Sequence, residues 1–169
     1  TGQLLLGGPG RVTFSGGGEK TAVLAASKFY VYGGENTVNM TYTTGKNGYG
    51  VYVSKAFGMY SGGLSIVSSC TAYKDIGVAP KKSSTVELEG GRLSVTMPGL
   101  KSIGFGDATV DVALSGTAVT FTMTGDGAKG FKTDGAFNMT GGLVNAYLSG
   151  AALVEAYLDS SNNYYTVTT

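Results

Sequence analysis

The feature that most limits the fold of this sequence is an alternation of apolar and polar residues with a period of two, interrupted by glycine-rich turns. Segments such as RVTFS (11–15), RLSVTM (92–97) and TAVTFTMT (117–124) place every second side chain on one face. The Gly and Asn residues between such segments supply the positive φ that tight turns require. Eleven short segments of this kind predict an all-β fold, a single-domain antiparallel β-sandwich of the jelly-roll or Ig-like type.

The composition favours a protein that associates with copies of itself. Only 14% of the residues are charged, whereas 29 are glycine and 11 are tyrosine. Charge keeps proteins apart in solution, so its scarcity favours self-association. Twelve Lys and Arg against 11 Asp and Glu leave a net charge of +1, without the basic stripe that nucleic-acid binding needs. We therefore expect a homopolymer and no nucleic-acid partner.

Side chains that could support catalysis or bind metal are scarce. The absence of histidine excludes Ser–His and Cys–His pairs and imidazole ligands. Cys70 is the single cysteine and lies in an alternating segment, where a lone thiol is usually a small buried apolar group. Asp126 and Asp134 border a glycine-rich stretch but match no calcium-loop spacing. We expect no enzyme, no catalytic residue, no metal site and no cofactor.

The motif F-x-M-T-G occurs twice, at 121–125 and at 137–141. Both copies alternate Phe and Met with polar residues, which predicts two strands joined by a turn. Residues 143–158 are ambiguous, because the β context favours strands whereas AALVEAYL also suits a helix. We favour strands there.

Tyrosine recurs beside glycine turns, in KFYVYGG (28–34) and FGMYSGG (57–63). Its amphipathic ring suits either a protein interface or a sugar-binding platform. The interface is favoured because no cluster of acid and amide side chains accompanies these tyrosines in the sequence. Asn39 and Asn138 begin N-x-T sequons and are candidate N-glycosylation sites, so glycans are possible partners.

The N-terminal region is predicted to be an extension, residues 1–10, ahead of a sandwich domain, residues 11–169. Its apolar run, a predicted donor strand, consists of Gln3, Leu4, Leu5 and Leu6. The hinge that follows consists of Gly7, Gly8, Pro9 and Gly10. Nine residues at about 3.3 Å each reach roughly 30 Å, enough to enter a neighbouring domain.

This N-terminal arrangement and the all-β pattern resemble the subunits of secreted fibres that assemble by donor-strand complementation, such as chaperone–usher pilins. The pilin disulfide is missing, because the chain has one cysteine. The resemblance implies a structural subunit of an extracellular filament, a pilus or fibre at the cell surface. The start at Thr1, without an initiator methionine, fits either a cleaved export signal or a cut made when the protein was produced.

Three other classes fit the same patterns. They are a virion capsid or surface protein built on the sandwich, a small outer-membrane β-barrel, and a secreted glycan-binding module. The sequence has no window of about 18 apolar residues, so we expect no membrane-spanning helix.

Overall fold

The chain folds as a parallel β-solenoid of about six turns. The structure is a computed structural model, which describes residues 2–149. Every strand pairing within these residues is parallel. Paired residues lie one turn apart: Arg11 pairs with Glu35, 24 positions later, and Ala56 pairs with Thr85, 29 positions later. The predicted antiparallel sandwich is therefore wrong, and with it the jelly-roll and Ig-like topologies, whereas the all-β class is confirmed.

Thirteen strands lie within the described residues, and we number them in chain order. They are β1 (Gln3–Leu6), β2 (Arg11–Gly16), β3 (Ala22–Met40), β4 (Tyr49–Ser68), β5 (Ile76–Pro80), β6 (Thr85–Leu88), β7 (Arg92–Met97), β8 (Ile103–Ala108), β9 (Val112–Leu114), β10 (Ala118–Met123), β11 (Lys129–Thr133), β12 (Phe137–Met139) and β13 (Leu143–Leu148).

Each turn contributes strands to three faces, and the long strands β3 and β4 bend through the corners between them. The first face stacks β1, residues 28–31, residues 56–59, β6, β9 and β12. The second face stacks β2, residues 35–40, residues 63–67, β7, β10 and β13. The third face stacks residues 22–26, residues 49–53, β5, β8 and β11.

The core lies inside the solenoid and is filled by columns of apolar side chains. Phe57 packs edge-on to Phe105 with ring centroids 5.4 Å apart, and Phe105 contacts Phe131 at 5.6 Å. Phe131 in turn meets Phe121 of the second face at 4.9 Å. Full burial of such a side chain contributes about 1.5–3 kcal/mol, so the inward half of the alternation drives the fold.

A column of glycines on the third face lets these large side chains fit. The residues that form it are Gly50, Gly77, Gly104 and Gly130. A Cβ at Gly77 would lie 2.8 Å from Cγ1 of Val95, and one at Gly104 would overlap the ring of Phe121. The glycines thus make room for side chains that reach across the interior from the second face.

Glycine pairs form the corner between the first and second faces. Gly34, Gly62 and Gly91 adopt positive φ angles of 72°, 73° and 74°. Asn36 is buried beside this corner, and its Nδ2 donates to the carbonyl oxygens of Gly33 at 3.0 Å and Gly63 at 3.1 Å. The side chain therefore ties two successive turns together.

The sequence predictions failed mainly on the third face, where β5, β8 and β11 were not predicted. Ala79 and Pro80 are the last two residues of β5 and are buried. The hairpin predicted for the two F-x-M-T-G motifs is also wrong. The first motif lies in β10 on the second face and the second in β12 on the first face, with β11 between them.

The strand that we favoured in the ambiguous stretch is present as β13 over Leu143–Leu148. The remainder of that stretch, from residue 150, lies outside the described residues.

Candidate functional site

An open groove with a polar lining lies on the first face. Its volume is about 540 Å³, which falls in the range of small-molecule binding sites. The loops before β6 and β9 form one side, and the outward residues of β6, β9 and β12 form the floor. The residues that line it are Ser83, Ser84, Thr85, Val86, Glu87, Thr109, Val110, Asp111, Val112, Ala113 and Asn138.

The groove lies where the outward column of the first face has a small side chain between two longer ones. In successive turns this column reads Tyr30, Gly58, Glu87, Ala113 and Asn138. The small side chain of Ala113 lies between the longer side chains of its two neighbours, which leaves a depression. The parallel register brings these residues together although 25 to 29 positions separate neighbours in the sequence.

Acid and amide side chains border this depression. Glu87 and Asn138 flank Ala113, and Asp111 lies at the groove wall. The Asp111 Oδ1 atom accepts a hydrogen bond from the backbone N–H of Ala136 at 2.9 Å, which fixes the carboxylate. Ser84 in the same wall is buried, and its Oγ has no hydrogen-bond partner among the described groups. The lining residues include two carboxylates and no Lys or Arg, so the groove is negatively charged.

Three tyrosines form a cluster next to the groove. The rings of Tyr32 and Tyr60 stack with centroids 4.7 Å apart and planes 7° apart, and Tyr30 lies tilted about them at 6.2 and 6.1 Å. Gly58 permits this arrangement, because a Cβ there would lie 2.7 Å from Cε2 of Tyr60. Tyr32 is 48% exposed and offers an aromatic face to solvent.

A hydrogen bond connects the tyrosine cluster with the groove. The Oη of Tyr60 donates to Oε2 of Glu87 at 2.5 Å. This hydrogen bond and, secondarily, burial raise the pKa of the Tyr60 phenol above its usual value. The phenol therefore stays protonated at neutral pH, and it orients the Glu87 carboxylate at the edge of the depression.

A second polar cluster lies inside the solenoid, closed to solvent. Asp75 is fully buried and its Oδ1 accepts from the N–H of Gly48 at 3.1 Å. Burial raises the pKa of the nearby Cys70 thiol, and Cys70 is buried, as predicted. A buried, protonated thiol is a poor nucleophile, so this cluster offers no reactive site. Across residues 2–149, no group of three or more His, Cys, Asp or Glu side chains could hold a metal ion.

The predicted donor strand is the first strand of the solenoid. Gln3, Leu4, Leu5 and Leu6 form β1 and pair in parallel with Lys28, Phe29, Tyr30 and Val31 of the same chain. Leu6 is buried, whereas Leu5 is 53% exposed. Strand donation was predicted because we expected a β-sandwich that lacks one strand. The chain is a solenoid, so that argument for strand donation no longer holds. Contact of these residues with a neighbouring subunit stays a prediction.

The predicted hinge is a corner of the solenoid. Gly7, Gly8, Pro9 and Gly10 connect β1 with β2. Gly8 has a φ of 80°, and a Cβ at Gly33 in the turn beneath would lie 2.8 Å from the Gly8 carbonyl oxygen. The segment therefore packs on the next corner of its own chain.

The two sequon asparagines lie on different faces. Asn39 is half-buried on the second face, and its Nδ2 donates to Ser15 Oγ at 3.5 Å. Asn138 is exposed at the groove on the first face. Glycosylation of either stays a prediction.

No protein-family model, curated protein or solved structure matches this chain. No helix in the part of the chain that the structure describes is long and apolar enough to cross a membrane. Sequence reasoning missed the groove because Glu87, Asp111 and Asn138 belong to different turns. The signal that could have found them was the repeat of an x-Gly-apolar pattern at Gly50, Gly77, Gly104 and Gly130, spaced 27, 27 and 26 residues apart.

Proposed function

We propose that this protein is a glycan-binding β-solenoid whose first face holds an extended, uncharged sugar chain. The observation that supports this function is the tyrosine cluster joined to a groove of carboxylate, amide and hydroxyl groups. Aromatic ring faces pack against the apolar C–H faces of sugars, and convergent polar groups fix the hydroxyls. In the sequence, no cluster of acid and amide side chains lies close to these tyrosines, and for that reason a protein interface was favoured. In the fold, Glu87, Asp111 and Asn138 line the groove next to the tyrosine cluster.

The shape of the site indicates a linear ligand. From Tyr30 to Asn138 the outward column of the first face crosses four strand-to-strand steps, about 19 Å at roughly 4.8 Å a step. This length accommodates several units of an extended sugar chain that runs along the solenoid axis. The site is open along its length, so a long polymer could extend beyond it.

The charge of the site selects against acidic glycans. Glu87 and Asp111 repel carboxylated or sulfated sugars, whereas they accept hydrogen bonds from neutral hydroxyl groups. Binding without cleavage is the role proposed. The filament role and the extracellular, cell-surface location stay predictions, and glycan binding is compatible with that location.

The test is affinity electrophoresis and calorimetry against neutral linear glycans, namely β-glucan, xylan and mannan, with polygalacturonate as the charged comparison. We expect one or more neutral glycans to bind better than polygalacturonate. Tyr32→Ala and Glu87→Gln should each weaken that binding about tenfold, equivalent to about 1.4 kcal/mol.

Tyr73→Ala is the matched control, because Tyr73 is similarly exposed, at 44%, and belongs to neither the cluster nor the groove. Its affinity should equal that of the unmodified protein. The proposal is wrong if no neutral glycan binds, or if the control weakens binding as much as the two site variants.

A further inference from the structure

The outward side of the second face carries two columns of uncharged side chains, which are small and polar except for Val67 and Tyr147. Its six described strands stack without a register shift within the face. The middle column is Thr13, Thr37, Ser65, Ser94, Thr120 and Asn145. The adjacent column is Ser15, Asn39, Val67, Thr96, Thr122 and Tyr147. We call these twelve residues the hydroxyl array.

The groups of the hydroxyl array face solvent and are almost free of internal partners. Within residues 2–149, the side-chain hydrogen bond from Asn39 to Ser15 is the one that involves the array. No member is charged. The nearest charges on this face are in the flanking column, where Arg92 and Glu35 form an ion pair with each other and Arg11 lies beside Glu35 in the register. The array therefore has no charge to attract an ionic partner such as nucleic acid or an acidic peptide.

The array is regular in two directions. Neighbouring strands of a sheet lie about 4.8 Å apart, and alternate residues of one strand lie roughly 6.6–6.8 Å apart. These two spacings are close to the repeats of water molecules along two axes of hexagonal ice. The threonine methyl groups and Val67 add apolar surface to the same columns.

We propose that the hydroxyl array binds ice. The four central strands of the face, residues 35–40, residues 63–67, β7 and β10, are held by backbone hydrogen bonds on both sides, so this part of the array is ordered before binding and loses little entropy on contact with a rigid lattice. Ice is uncharged and periodic, and the array is likewise uncharged and regularly spaced in two directions. Tyr147 is 63% exposed and places a bulky ring on the sixth strand, which leaves the first five strands as the contact surface. This activity is separate from glycan binding, because the groove lies on another face.

The test uses the full chain in nanolitre osmometry, where the gap between melting and freezing points is measured, and in an assay of ice recrystallisation. We expect a concentration-dependent gap and small, faceted crystals. Thr37→Tyr and Ser94→Tyr project a bulky ring from the centre of the array and should abolish both effects. Circular dichroism should show that both variants keep the β-sheet spectrum.

Ala113→Tyr is the matched control, because it adds the same ring to an exposed position in the groove of the first face. It should keep the ice activity and lose glycan binding, which separates the two proposals. The inference is overturned if the folded protein shows neither effect on ice. It is also overturned if Ala113→Tyr abolishes the effects while the two array variants retain them.

Discussion

The folded structure raises the pKa of two phenols, those of Tyr42 and Tyr60, above the usual tyrosine value. For Tyr42 the main cause is burial, and the neighbouring carboxylate of Asp75 adds to it. For Tyr60 the main cause is the hydrogen bond to Glu87. In both cases the folded state holds the phenol proton more tightly than the unfolded chain does.

The raised pKa values predict that the free energy of unfolding falls as the pH rises above about 10, the pKa of an unfolded tyrosine. Above that pH the unfolded chain has released protons that the folded state retains, so the unfolded state is favoured. The stabilisation is fully present below pH 10. Urea unfolding between pH 8 and 11.5 measures the effect, and Tyr42→Phe and Tyr60→Phe should each flatten the decline.

Tyr73→Phe serves as the control, because the Tyr73 side chain is 44% exposed. It should follow the pH dependence of the unmodified protein. Identical slopes for all three variants would contradict the prediction.

Among the strands, those of the third face depend most on residue size, because their glycine column faces the side chains of the second face. Gly104→Ala should lower the free energy of unfolding by about 1–3 kcal/mol, the usual cost of overpacking. The added methyl would meet the ring of Phe121 and the carbonyl of Gly130, neither of which can move freely. Urea unfolding at neutral pH gives the measurement.

Gly7→Ala is the matched control, because a Cβ at Gly7 would have no heavy atom within 4 Å. Its unfolding free energy should stay within about 0.5 kcal/mol of the original. Equal stability of the two variants would show that the glycine column is not tightly packed.

The same glycine column explains why the strands could be predicted from the sequence only in part. Alternation identified β2, β7 and β10, because each places apolar residues at every second position. In β5, β8 and β11 a glycine occupies an inward position and breaks that pattern. Alternation also says nothing about parallel or antiparallel pairing, which depends on the order in which strands meet.

The site was predictable to a smaller degree. Tyrosines beside glycine turns were recognised, and Asn138 was noted for its sequon. The proximity of Glu87, Asp111 and Asn138 was not predicted. Residues meet on one face when the number of residues between them equals one turn of the solenoid, and that number varies from turn to turn. Loops of different size at the corners hide the repeat from inspection.

At the scale of the whole molecule, the solenoid is nearly one-dimensional, because each turn pairs only with its neighbours. Among the described strands, β1 and β2 pair on one side, with β3, whereas residues 56–59 and 63–67 pair on both sides. Local opening should therefore be easier at the first turn than at the centre.

Hydrogen exchange followed by mass spectrometry tests this expectation. Amides of residues 11–16 should exchange faster than amides of residues 63–67, after correction for intrinsic rates. Exchange from a chain unfolded in urea provides the reference. Equal protection in the two segments would mean that the solenoid opens only as a whole.

The stacking of turns has a consequence for growth of the molecule. Because corners absorb differences of several residues between turns while the faces keep their register, duplication of one complete turn would lengthen the protein without disturbing either flank. Each copy would lengthen each of the three faces by one strand-to-strand step of about 4.8 Å. A gene that encodes this chain can thus extend its reach by simple tandem copying, and a protein engineer can use the same route to make a longer or shorter version.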